Sequence, residues 1–258
     1  MKFKECMEKE IPYIIAEIGS NWRKYPDYES CFDITLEQIY RAHVAGSDAV
    51  KFQIFTHLEL YGYEDPEAEL NDYVFPRSWV PRIKTYCDAV GIDFMCSAFS
   101  PEGYNFIDPF VDVHKIAAPE GNWEYLVDHV KSKGKDIIKS GKAYDIDAID
   151  YDVFCIETVS NYPANPRDYE IVNSFMGLSD HTKGFDLIKE ALNCDYRIFE
   201  VHVDLLFGEV KTPDACVSLN YFDFTEYVDR IRNPDKYYKE PKDYSRKEGK
   251  DGWFRPKL

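Results

Sequence analysis

The sequence predicts a (β/α)₈ barrel, and three observations predict it. Eight short apolar, β-branched or aromatic runs recur along the chain. Stretches with helical spacing separate most of them, and polar or charged residues collect near the carboxyl ends of the runs. Parallel strands need crossover connections, so a β-then-α alternation of this kind suits closure into a barrel with functional groups at one end. A chain of 258 residues, 45% hydrophobic, is long enough for one such domain. The doubly wound open sheet is the alternative, but no G-x-G-x-x-G follows the first run.

The runs, in order, are IPYIIAEIG (11–19), DAVKFQIF (48–55), DFMCSAF (93–99), VHKIAAP (113–119), DIIKSG (136–141), VFCIETVS (153–160), FMGLSDHT (175–182) and YRIFEVHV (196–203). Between them, Leu36, Ile39, Tyr40 and Val44, and likewise Leu187, Ile188, Ala191 and Leu192, fall on single helical faces. A helix-like segment, LNYFDFTEYVDRIR, closes the predicted barrel domain at residue 232. Residues 233–258 read as a polar tail, with eight Lys or Arg against five Asp or Glu. Its aromatic residues Tyr237, Tyr238, Tyr244, Trp253 and Phe254 are candidate anchors onto an acidic surface.

The formal net charge of -16 works against nonspecific nucleic-acid binding, since a polyanion meets a like-charged surface. The seven cysteines are scattered, odd in number and without a CxxC pair, a pattern of a reducing compartment. MKFKECMEKE has no apolar signal-peptide core, and no span suits a membrane. The expectation is a cytoplasmic protein with neither nucleic acid nor membrane as partner.

On one face of a strand, side chains alternate. Lys51 with Gln53, Ser179 with His181, and Glu200 with His202 therefore share faces near strand ends, while Glu17, Ser97, Lys115, Lys139 or Ser140, and Ser160 to Tyr162 end other strands. Alone, each has a structural reading: a barrel-end salt bridge for Lys51, a hydrogen-bonded core position for His181, a loop cap for Glu200. Together they predict a polar site, because unpaired buried charge is costly. His181 and His202 end consecutive strands, near enough to share one metal ion with positions left open for water and substrate. His43, His57, His114 and His129 read as structural, and no cysteine has a base partner.

These motifs resemble the N-acetylneuraminate (sialic acid) synthase family. IIAEIGSN, AGSDAVKFQIF, KIAAPEGN, SNYP, GLSDHTKG and FEVHVD are similar to its strands 1, 2, 4, 6, 7 and 8, and TPDACVSL to the segment after them. The resemblance runs from about residue 11 to 232. It implies a barrel enzyme joining phosphoenolpyruvate to N-acetylmannosamine or a related amino-sugar aldehyde, with release of phosphate and formation of a nonulosonic acid.

By motif position, the resemblance gives His181 and His202 to a divalent metal, manganese or magnesium, and makes Glu17 the acid/base candidate beside it. Lys51, Ser97, Lys115, Ser160 and Ser179 face phosphoenolpyruvate, with Lys139 and Ser140 at the phosphate subsite. Gln53, Tyr162, Glu200 and Asp214 face the sugar. The departures are Asn21-Trp22 for the family's Asn-His pair, Ser97 for a threonine, Ala118 for a serine, and Lys139-Ser140-Gly141 for Ser-Thr-Gly. Lys139 is expected to replace lost hydroxyl donors with a charge. The family's carboxyl-terminal antifreeze-like domain is not found in this sequence, and Arg255 is the candidate substitute for the sugar-binding arginine that domain supplies in a homodimer. A metal-dependent aldolase or lyase with another donor, or a non-catalytic barrel binding an acidic sugar or a protein, are the competing readings.

Overall fold

A computed structural model describes residues 2–62, 69–142 and 153–238, with the backbone of 247–248 and 254–255. Eight parallel strands form a closed barrel: β1 (Tyr13–Glu17), β2 (Ala49–Ile54), β3 (Asp93–Ala98), β4 (Val113–Ile116), β5 (Asp136–Gly141), β6 (Phe154–Thr158), β7 (Gly177–Asp180) and β8 (Ile198–Asp204). Each pairs with the next, and β8 returns to β1 through five residue pairs from Tyr13↔Ile198 to Glu17↔His202. All eight expected runs are strands, and the open sheet is excluded by the β1–β8 closure.

The outer layer is uneven. Helices α1 (Lys2–Glu8), α2 (Tyr28–Val44), α3 (His57–Tyr61), α4 (Val80–Val90), α5 (Pro101–Ile107), α6 (Glu124–Lys131), α7 (Ile188–Asn193) and α8 (Tyr221–Arg232) are joined by short 3-10 turns. Between β6 and β7 the crossover holds only a three-residue 3-10 turn, Pro166–Asp168, where a full helix is usual. Of the expected tail, a short helix (Pro234–Tyr238) and a two-residue ladder, Lys247–Glu248 against Phe254–Arg255, are described. The side chains of residues 239–258, Tyr244, Trp253, Phe254 and Arg255 included, lie outside the described residues.

Inward-facing side chains divide the lumen into two halves. Toward the amino ends of the strands, Tyr13, Ile15, Ala49, Met95, Val113, Ile138, Ile156 and Ile198 form one apolar cluster. Helix α1 closes that end: Phe3 and Cys6 join the cluster, and Phe3 stands edge-on to Tyr13 and Phe154, each with ring centroids 5.0 Å apart. The segment has no apolar signal-peptide core, yet Phe3 and Cys6 give its one short helix a buried apolar face. Lys2 and Arg232 both pair with Asp48, whose Oδ2 also accepts from the Ile14 amide at 2.8 Å, tying α1, α8 and β1 together. At the β7–β8 contact the chain requires glycine, since a Cβ on Gly177 would stand 2.2 Å from the Ile198 carbonyl oxygen.

Phe3→Ala should lower stability by about 3–5 kcal/mol through the cavity it leaves. Urea unfolding measures the loss, and activity per folded molecule should stay unchanged because the residue lies at the end opposite the polar half.

Candidate active site

The next inward position on each strand is polar. Glu17 ends β1, Lys51 and Gln53 follow on β2, Ser97 on β3, Lys115 on β4, Ser140 on β5, Thr158 on β6, Ser179 on β7, and Glu200 with His202 on β8. The register sets them side by side, with Glu17 opposite Lys51 and His202, Gln53 opposite Ser97, Ser97 opposite Lys115, and Ser179 opposite Thr158 and Glu200. Most of them line a cavity of about 240 Å³ at the carboxyl ends of the strands, together with His181, Ser160, Tyr162 and the Ala117–Pro119 turn.

Four buried charges compensate one another in its floor. Lys51 Nζ lies 2.7 Å from Glu17 Oε2 and 3.7 Å from Glu200 Oε2, and Lys115 Nζ lies 3.8 Å from the same Glu200 oxygen. Burial works against the Lys51 ammonium, but the two carboxylates outweigh it and hold its pKa above the usual lysine value. Burial also acts on Lys115 and outweighs the pull of Glu200 and, more weakly, of Glu17 and Glu120; with Lys51 repelling it as well, its pKa is pushed down to about 8. Burial would raise Glu200, yet Lys115 and Lys51 together draw it down to about 2. Glu17 stays above the ordinary carboxylate value because burial exceeds the pull of Lys51.

Hydrogen bonds fix the rest. Gln53 Nε2 donates to Glu17 Oε1 at 2.9 Å, Lys115 Nζ to Ser140 Oγ at 2.7 Å, and Ser179 Oγ to Glu200 Oε1 at 3.0 Å. The Ser97 hydroxyl is buried without a partner among the described residues, a donor aimed into the lumen.

The two imidazoles meet at the rim. His181 Nδ1 lies 2.6 Å from the Val159 carbonyl, which can only accept, so Nδ1 carries the hydrogen and Nε2 a free lone pair. Burial, with the nearby His202, pushes the His181 pKa down to about 4 and keeps the ring neutral. His202 Nε2 points the same way: the Tyr162 hydroxyl sits 3.3 Å from one Nε2 and 3.2 Å from the other. One O–H can donate to only one of them. Two imidazole nitrogens converging on a point fit a divalent cation. Among the described residues no group of three or more His, Cys, Asp or Glu gathers around such a point, so the other ligands of an ion there would be water or substrate.

Asp214 comes from the turn after β8. Its Oδ2 accepts from the Ser20 amide at 2.6 Å and the Ser20 hydroxyl at 2.7 Å, and its Oδ1 lies 3.8 Å from His202 Nδ1. Behind it, Asn21 Nδ2 donates to the Val203 carbonyl at 2.9 Å and to Ser218 Oγ at 2.8 Å, while Lys24 and Asp204 form a buried pair at 2.6 Å.

One expected residue falls elsewhere. Lys139 precedes Ser140, and because Ser140 faces the lumen, Lys139 faces outward; its stem lies 3.2 Å from where a Gly121 Cβ would be. It does not line the chamber. Asp180, beside His181 in sequence, faces outward too, bonded to Thr182 and Tyr227. The expected structural histidines behave as such where their partners are described, with His114 on Asp108 at 3.0 Å and His129 on Asn105 at 3.1 Å. Two residues were missed. Thr158 lines the chamber, and Glu120, just beyond the Ala117–Pro119 turn, is buried with Oε2 unpartnered; burial raises its pKa above the usual value. The signal for Thr158 was its inward parity on β6, and for Glu120 an acidic residue straight after a strand-end turn.

A closed parallel barrel with ammonium, hydroxyl and imidazole groups converging at the carboxyl ends of its strands defines a class: barrel enzymes acting on small anionic, oxygen-rich molecules. Residues 38–242 match the family model of the NeuB family, and the chain belongs to that family. It is 25% identical to the pseudaminic acid synthase of Campylobacter jejuni over 86% of this chain and 74% of that protein. Against the N,N'-diacetyllegionaminic acid synthase of Legionella pneumophila the identity is 24%, over 86% and 72% of the respective chains. In fold, it resembles the N-acetylneuraminic acid (sialic acid) synthetase of Leptospira borgpetersenii solved with citrate, at a TM-score of 0.74, 24% identity and 90% and 88% coverage. No helix among the described residues is long and apolar enough to cross a membrane.

Two outcomes follow from this geometry. If an anion is captured by protonated Lys115, kcat/KM for it should be flat below pH 8 and fall as pH rises through about 8, where the ammonium loses its proton. Lys115→Met should remove that inflection. Lys139→Ser, by contrast, should change the KM of an anionic substrate by less than about twofold, since its side chain lies outside the chamber.

Proposed function

We propose that the chain condenses phosphoenolpyruvate with an amino-sugar aldehyde, forming a nonulosonic acid and releasing phosphate. The observation that carries this reading is the pairing, within one chamber, of a cationic, hydroxyl-rich floor with two convergent imidazoles at the rim. Membership of the NeuB family and the names of its relatives support it.

In this reading Lys51, Lys115, Ser140 and Ser179 hold the carboxylate and phosphate of the donor, with Ser97 and Ser160 supplying further hydroxyls. The floor already pairs its two ammoniums with two carboxylates, so an arriving anion takes Lys115 more readily than Lys51, whose 2.7 Å contact to Glu17 is the shorter. His181 and His202 would hold a divalent ion, manganese or magnesium. What that ion supplies when bound is Lewis-acid polarisation of the aldehyde carbonyl. Tyr162, whose hydroxyl stands between the two rings, and Gln53, Glu200 and Asp214 orient the acceptor.

The enol carbon of the donor then forms its bond to the aldehyde carbon, and a proton must reach the new alkoxide. Water adds at the donor's second carbon, and loss of phosphate leaves the keto acid. Glu17, raised in pKa by burial and held by Gln53 and Lys51, is the group placed to move protons in these steps. The residues of 1–232 form the catalytic unit in this proposal, and the tail of 233–258 an appendage to it.

The test is phosphate release from phosphoenolpyruvate with manganese or magnesium and a panel of amino sugars, with the product mass measured. A condensed product is expected. His181→Ala and His202→Ala should fold, lose metal-supported turnover, and lose the manganese signal bound in paramagnetic resonance. Full activity in a verified metal-free preparation would contradict the role given to the two histidines.

A further inference from the structure

Among the described residues three lysines are buried: Lys24, Lys51 and Lys115. Two are clamped by a carboxylate, Lys24 Nζ at 2.6 Å from Asp204 and Lys51 Nζ at 2.7 Å from Glu17. The third is not. The nearest described carboxylate oxygen to Lys115 Nζ is Glu200 Oε2 at 3.8 Å, which Lys51 shares, and the other Glu200 oxygen accepts from Ser179. A buried ammonium with a direct counter-ion gains by staying charged, whereas one without gains by shedding its proton.

What Lys115 does contact closely is neutral. Its Nζ donates to Ser140 Oγ at 2.7 Å and to the Ile116 carbonyl at 3.2 Å. These bonds use two of the three positions around the nitrogen beyond its own carbon. The third carries a proton in the ammonium and the lone pair in the amine, so the amine keeps both bonds and gains a directed lone pair. Four charged groups bias the choice: Glu200 on β8, Lys51 on β2, Glu17 on β1 and Glu120 beyond β4. Burial and the Lys51 charge prevail, bringing the pKa to about 8. At pH 7 about one-tenth of such a side chain is free amine, roughly two-hundredfold more than for an ordinary lysine.

Lys115 lines the chamber, so that lone pair meets whatever enters. Ser97, its register partner on β3, holds a hydroxyl without a partner among the described residues, and Lys51 nearby keeps its full positive charge. We infer that Lys115 is a nucleophile as well as an anion holder: its amine forms a reversible imine with the keto carbon of a short 2-oxo acid whose carboxylate lies against Lys51 and Ser97. The lone pair makes the C–N bond as the carbonyl electron pair moves onto oxygen. That oxygen takes one proton from the nitrogen and one from solvent, and leaves as water. The iminium restores the positive charge that the protonated side chain had, so Glu200 keeps its counter-ion. The step involves neither imidazole and stands independently of the condensation reading.

The test incubates the full chain with pyruvate and cyanoborohydride near neutral pH, and locates the reduced adduct by intact mass and peptide mapping. One carboxyethyl group is expected on Lys115, with labelling at least about tenfold above that of the exposed Lys189. As pH is raised, labelling of Lys115 should level near pH 8, where its amine is already formed, while that of Lys189 keeps rising. With dihydroxyacetone, a ketone lacking the carboxylate, the ratio of Lys115 to Lys189 labelling should fall at least about tenfold. Lys115→Met should carry no adduct in the chamber; mapping of the unaltered chain decides the question without it. No adduct, an adduct on Lys51, labelling of Lys115 no greater than that of Lys189, or equal ratios for the two ketones overturns the proposal. Phosphate release from phosphoenolpyruvate is scored separately. An imine without condensation sinks the proposed reaction and leaves this inference standing, and condensation without an imine does the reverse.

Discussion

The polar half of this barrel depends on the contact of Lys51 with Glu17 and on Glu200 lying between Lys51 and Lys115. Four charges are buried there within a few ångströms, and none is tolerable alone: removing one partner of such a set leaves its neighbour desolvated, at a cost of about 3–5 kcal/mol. Because the charges sum to zero, the chamber can be built at all. Because the compensation is uneven, it is also responsive. Lys51 is held on two sides by carboxylates, whereas Lys115 has one distant carboxylate, a serine hydroxyl and the Ile116 carbonyl, and so is the ammonium with charge to spare.

The barrel geometry makes this arrangement possible. Parallel register sets Glu17, Lys51, His202 and Glu200 next to one another from three strands far apart in sequence. The same inward face is apolar two residues earlier on nearly every strand. That lower half supplies the packing stability which the upper half, with its unpartnered Ser97 hydroxyl and its converging histidines, does not.

Much of this was legible in the sequence, and the limits have physical causes. Strand-end polarity is local, so Glu17, Lys51, Gln53, Lys115, His181, Glu200 and His202 could be found from alternation within a run. Alternation fixes parity only when the strand's register is known: in Lys139-Ser140, both of which the sequence offered, a one-residue choice sends one side chain into the lumen and the other into the helical layer. Thr158 was hidden for the opposite reason, as a plain β-branched residue in a β-branched run.

Among the described residues, Phe3 and Cys6 close the lower end of the lumen, and the chamber opens at the carboxyl ends of the strands. A well with one opening imposes a sequence in time on whatever enters it. In the proposed condensation, a ligand seated on Lys115 and Ser140 would lie beneath one that touches His181, His202 and Tyr162, and the deeper molecule would have to arrive first. Whatever is made at the rim has to depart before the floor can be vacated. Kinetic order, in a barrel plugged this way, is a property of depth: it is set by which strand position a group occupies, before any difference in affinity between the two ligands comes into play.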